Sequence, residues 1–241
     1  MSYEVYEPGV TLLARNNTEG TLGSRTPHRG KLSPGHDKDG ALKRHVSDGW
    51  TGKHDPESFD TGDETGNGAE AIEALSTLLQ EYWLQEKLHY EPSGRPLTPD
   101  AQGLFGNFYS PFLLRNTRIV ELKDSRIATP PFFARARAMG LSNLPDISHQ
   151  ASMTFLNVIV FQEKISNRLL FHGLVHVAQA HVLGVERYAE LFIRGFLRTR
   201  SYFMVPLKSH AFAMDLRFAQ HPSDYFSVEA EIRRWVKEGR Y

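Results

Sequence analysis

The chain holds 241 residues, and its 28 Lys and Arg balance its 28 Asp and Glu to a formal net charge of zero. That balance leaves no electrostatic footprint for nucleic acid or an anionic membrane, while the length suffices for a sizeable core. Cysteine is absent, which excludes disulfides, thiol nucleophiles and thiolate metal sites and leaves His, Asp and Glu as candidate metal ligands.

No apolar run reaches the roughly 18 residues that suggest a membrane span. Met1 to Glu7 carry no basic segment leading into an apolar one, so no secretory signal is read there. The expectation is a soluble, cytoplasmic protein with no membrane span and no nucleic-acid partner.

Residues 1–68 are rich in Gly, Thr, Asp, Lys and His, and their apolar side chains follow neither a strand nor a helix period. Such a segment buries too little surface to offset its ordering entropy. It reads as a disordered arm, with His28, His36, His45 and His54 solvated. Order is expected from Ala69. Ile72, Leu75, Leu79, Tyr82 and Trp83 recur at helical spacing as far as Tyr90, and Pro92, Gly94 and Pro96 end the helix. Residues 91–116 read as a long loop or short turns. Arg118–Leu122 is a short strand candidate, and Phe132–Met139 a short helix begun after Pro130-Pro131 and stopped by Gly140. Met153–Phe161 is β-branched and aromatic with both faces apolar, as in a covered central strand.

Asn167–Leu183 is apolar almost all round, which places this helix inside the core. His172 and His176, four residues apart, share one of its faces, and Gln179 joins their stripe. Two imidazoles at that spacing make half of a zinc site. Gly184 caps the helix. Further helices follow over Glu186–Leu197 and Pro206–Gln220, and from the N-cap Ser227 through Val236. The expected architecture is α+β and mainly helical, with a small β-sheet packed on the buried histidine helix.

From Ile119 onward the chain resembles uncharacterised microbial zincin-like proteins of the HExxH type. The resemblance rests on Asn143-Leu144-Pro145-Asp146-Ile147-Ser148, on Thr154-Phe155 with Val158-Ile159-Val160, and on Leu169-Leu170-Phe171-His172 through Gln179. It continues in Leu183 to Ala189, Arg194 to Leu197, Pro206-Leu207 and Ala211-Phe212. It implies a zincin-like domain over residues 69–241. In such proteins the central stretch reads Leu-Leu-Phe-His-Glu-Leu-Val-His, and a later Glu after a Pro-Leu pair is the third metal ligand. By position, the two histidine ligands fall on His172 and His176, the general-base Glu on Gly173 and the third ligand on Lys208.

Both departures remove chemistry. Positioned acid–base catalysis contributes about 10²–10⁴-fold, and glycine transfers no proton. A lysine ammonium has no acceptor and repels a dication. Ordinary zinc peptidase activity is therefore not expected.

Two residues of the same later segment are alternatives for completing a metal set with His172 and His176. His210 would give three histidines, and Asp215 would give the two-histidine, one-carboxylate set of non-haem iron. The cofactor is thus a divalent metal, zinc or iron, or none. Without metal, Lys208 supplies positive charge beside two imidazoles, suited to binding an anion or polarising a carbonyl, and Tyr202 adds a hydroxyl. The opposing reading has Lys208 snorkelling to water. The reading of function is a repurposed enzyme acting on a small molecule, with His172, His176, Lys208 and Tyr202 as candidate catalytic residues. The alternative is a noncatalytic pseudo-metalloprotein that binds a ligand or protein partner through the old cleft.

Overall fold

The histidine helix packs against three other helices and the sheet. A computed structural model of the chain describes residues 66–241, Ser142 excepted. The arm expected over 1–68 lies outside the described residues apart from its last three positions. Those open helix α1, Gly66–Tyr90. The remaining elements are β1 Arg95–Pro96, α2 Pro99–Phe105, α3 Pro111–Asn116, β2 Arg118–Glu121 and α4 Phe133–Ala138. They are followed by β3 Ser152–Phe155, β4 Val158–Phe161, α5 Asn167–Leu183, α6 Val185–Thr199, α7 Pro206–Gln220 and α8 Val228–Lys237. The described residues are α+β and mainly helical, with one small sheet. No helix among them is long and apolar enough to cross a membrane.

The sheet runs β1-β2-β4-β3. β2 and β4 are parallel, while β1 and β3 join the edges antiparallel. β4 is the covered strand, with Val158, Ile159, Val160 and Phe161 all fully buried. Met153–Phe161 is thus a hairpin rather than one strand, turning at Leu156, whose φ is +57°. A leucine carries no turn signature, and only Asn157 interrupts the apolar residues between Phe155 and Val158, so periodicity alone joins the two strands. Residues 91–116 also differ from the expected loop. Thr98 and Ser110 each accept the N–H of the third residue beyond, and a proline follows each at the first helical position, starting α2 and α3. Helices of two turns or fewer show too little of a period to be read.

Ser166 caps α5 by accepting the Leu169 N–H at 3.1 Å, and Gly184, at φ +75°, ends it. α5 packs on β3 and β4 and against α6, α7 and α8. Its closest approach to the sheet is at Gly173, where a Cβ would stand 2.9 Å from Ile159 Cγ2 and 3.0 Å from Cδ1. A second close approach brings α7 against α6. A Cβ on Gly195 would stand 2.7 Å from Pro206 Cδ. These two glycines set the depth at which His172 and Lys208 lie.

Candidate functional site

One face of α5 borders a cavity closed by α1, α4 and α6. Its wall includes Leu75, Tyr82, Phe133, Met153 and Phe196, and its volume is about 80 Å³. A water needs roughly 10–15 Å³ on this measure, so the space suits a small molecule rather than a folded partner. His172, His176, Tyr202 and Lys208 also line it. Four residues singled out in the sequence therefore meet at one apolar cavity.

Each histidine is held from behind. His172 Nδ1 lies 2.6 Å from Asp215 Oδ2, and Asp215 Oδ1 accepts from Arg168 Nε at 2.9 Å. Burial pushes the Asp215 carboxyl up to about 6 against the opposing pull of Arg168, so it is ionised at neutral pH and accepts the His172 Nδ1–H. His176 Nδ1 lies 2.8 Å from Gln179 Oε1. The Gln179 amide cannot be turned over, because its Nε2 donates to the Leu207 carbonyl at 2.9 Å. Its oxygen therefore faces the imidazole, and His176 also carries its proton on Nδ1. Tyr188 Oη stands 3.3 Å from the same nitrogen.

With both Nδ1 atoms protonated, both Nε2 atoms present lone pairs. They face each other at 3.2 Å across rings inclined at 82°. Burial, and then the charges of Lys208 and Arg168, hold His172 neutral by pushing it down to about 3. Burial, Lys208 and His172 push His176 down as well, with the Gln179 bond opposing. Two acceptors converge on one point, which favours a proton or another electrophile between them.

Lys208 supplies the charge at this point. It is buried, its Nζ donates to Tyr202 Oη at 3.1 Å, and it lies 4.3 Å from the centre of the Tyr202 ring. It does not snorkel, because Pro206 and Gly195 bring the first turn of α7 too far inside. An ammonium offers three donors, and this hydroxyl takes one. Tyr202 Oη in turn donates to Met153 Sδ at 3.6 Å. Tyr202 thus holds the ammonium rather than acting apart from it.

The two proposed completions of a metal set lie elsewhere. His210 is buried against α8, stacked on Trp235 with ring centres 3.6 Å apart, and its Nδ1 meets Tyr241 Oη at 2.7 Å. Asp215 touches His172 on the Nδ1 side, away from the converging nitrogens. It is placed as a carboxylate orients an imidazole from outside a metal site. Among the described residues no three His, Asp or Glu side chains gather as a metal-binding group. Two nitrogens fall short of the three protein ligands of a catalytic zinc.

Three further residues belong to the site. Arg168 lies one turn before His172 and was legible as an i, i+4 neighbour. Tyr188, which sits on α6, and Tyr82, which sits on α1, lie on apolar faces where an aromatic reads as core. His181 turns from the site, as its spacing requires, and packs on Phe112.

No family model, no curated protein and no solved structure matches this chain.

Proposed function

We propose that the chain is an enzyme acting on a small carbonyl compound, with His172 as general base and Lys208 as the electrophilic partner of the carbonyl oxygen. The substrate C–H next to the carbonyl breaks, and its electron pair moves onto the carbonyl oxygen to form an enolate beside the ammonium. The proton goes to His172 Nε2 and is shared with His176 Nε2. The carrying observation is the convergence of the two Nε2 atoms at 3.2 Å beside a buried ammonium. Asp215 holds the tautomer and stabilises the imidazolium that forms. Lys208 acts as preorganised positive charge in a site poor in water, where such charge is most effective. Peptide hydrolysis is no part of this reading.

The test is proton exchange. Small ketones, aldehydes, 2-oxo acids, esters and 1,3-dicarbonyl compounds are incubated with the protein in deuterium oxide, and deuterium uptake is read by mass spectrometry. The wild type accelerates exchange in at least one class, and His172→Asn removes about 10²–10⁴-fold of that rate. Equal exchange with wild type and variant in every class contradicts the proposal.

A second reading has one observation in its favour. Two ligands at 2.0–2.1 Å from a tetrahedral ion stand about 3.3 Å apart, close to the separation of these nitrogens. On that reading the chain is a noncatalytic metal-binding protein, and a zinc or iron(II) ion supplies the electrophile between the rings. Elemental analysis of purified protein separates the two readings. Stoichiometric metal, absent from a His172→Ala/His176→Ala double variant, supports the second.

A further inference from the structure

The cavity holds one more polar group that the proposed chemistry leaves unused. Tyr82 is buried on α1 at 5% exposure, lines the same cavity as Lys208, and its hydroxyl has no hydrogen-bond partner. A buried hydroxyl without a partner opposes folding. Rings lie around it, and the Glu86 carboxylate also acts on it through space. Phe132 and Phe155 lie with centres 5.6 and 5.8 Å away. The Tyr202 phenol, which holds the Lys208 ammonium, lines the same cavity. Tyr82 and Lys208 thus line the same apolar cavity, one with an unspent hydroxyl and the other with unspent N–H donors.

We propose, resting on the carbonyl chemistry above, that the substrate is a 1,3-dicarbonyl compound with an apolar body, one oxygen on Lys208 and the other on the Tyr82 hydroxyl. Three features of the site lead to this class. The two anchors ask for two oxygens on one ligand. The buried Lys208 cation asks for one negative charge, since the Asp215 carboxylate is already paired with Arg168 and hydrogen-bonded by His172. The base is an uncharged, desolvated imidazole, which suits a carbon acid more readily ionised than one beside a lone ketone. Removing the proton between two carbonyls gives an enolate with its charge spread over both oxygens. Atoms and charge balance: the C–H bond breaks, its pair enters the delocalised enolate, and the proton rests on His172 Nε2. The aliphatic and aromatic walls then exclude water from the remainder of the ligand.

The experiment uses 2,4-pentanedione as the probe and 2-pentanone as the single-carbonyl control. Binding is followed by calorimetry, and ionisation by the ultraviolet band of the enolate. Wild type is expected to bind the dione at least tenfold more tightly than the ketone and to display the enolate band at a pH where the free dione is un-ionised. Lys208→Met abolishes the band. Tyr82→Phe, which preserves the ring and its packing, weakens dione binding about 5–30-fold, the equivalent of one hydrogen bond at roughly 1–2 kcal/mol, and leaves ketone binding unchanged. Equal affinity for dione and ketone overturns the proposal, as does a band that survives in Lys208→Met. The two proposals fail separately. Exchange in single ketones without preference for the dione sinks the substrate class alone. Tight dione binding with the enolate band but no His172-dependent exchange sinks the catalytic reading alone.

Discussion

His172 and His176 face each other through their Nε2 atoms at 3.2 Å, each with its Nδ1 proton committed elsewhere. This arrangement is not a default of two histidines four residues apart on a helix. It requires the carboxylate of Asp215 behind one ring and the Gln179 amide, fixed by the Leu207 carbonyl, behind the other.

Asp215 acts through His172 and is a positioning residue. Asp215→Asn keeps the volume, but its amide can present an N–H to Nδ1 and so reverse the tautomer. The expected result is a fall in kcat for proton exchange of about 10–10²-fold with KM unchanged. A parallel rise in KM would mean that Asp215 shapes the cavity instead.

Lys208 is a buried charge with one hydrogen-bond partner, so its burial opposes folding. Lys208→Met fills the same space without charge. The free protein is expected to gain roughly 1 kcal/mol of stability, seen as a higher Tm, while dione binding is lost. A lower Tm in this variant would show that the ammonium contributes to the fold itself.

Gly173 stands at the point where α5 meets β4. Gly173→Ala gains about 1 kcal/mol of helix propensity but forces a methyl within 3.0 Å of Ile159, a strain of roughly 1–3 kcal/mol. The net expectation is a lower Tm. Gly173→Glu lowers it further and creates no zinc-dependent peptidase, which a standard casein assay checks.

Acid stability follows from the buried rings. His172 and His210 are each held at about 3 against an ordinary 6.5, and His176 is lowered too. In the unfolded chain these rings take up protons on acidification, whereas in the folded one they do not. Their stabilising contribution is complete above 6.5 and is lost as the pH falls toward 3. Asp215 has the opposite sign. Raised to about 6, it contributes most below its ordinary 3.8, and that contribution is lost as the pH rises through 6. Three rings outweigh one carboxyl, so Tm falls between pH 7 and pH 4. His210→Phe, placed to keep the stack on Trp235, flattens that fall. A Tm that is constant or rises over the interval contradicts these protonation states.

Much of the fold was legible because its signals are long. The histidine helix, its Gly184 end, the Pro206 helix and the Ser227 cap all emerge from periodicity and capping chemistry, whereas the Ser166 cap was not read. The β3–β4 turn was hidden because a leucine, Leu156, adopts the left-handed conformation, and the lone Asn157 beside it is a weak turn signal between two apolar stretches. At the site, the spacing of His172 and His176 gave the shared face, and position placed Lys208 beside it. The role of Asp215 was not legible. A seven-residue offset from Lys208 puts it on the same side of α7, but not behind His172 rather than in front. The position of His210 was decided by Trp235 and Tyr241, which are distant in sequence. Tyr82 resembles any core aromatic until its hydroxyl is found without a partner.

The central claim is that two neutral imidazoles present bare Nε2 atoms to one point. Nitrogen-15 long-range correlation spectra of histidine-labelled protein at pH 7 read this directly, with His172→Asn and His176→Asn variants assigning the signals. The account predicts that both rings are neutral, protonated on Nδ1 and unprotonated on Nε2. A proton on Nε2 with a bare Nδ1, in either ring, would contradict it.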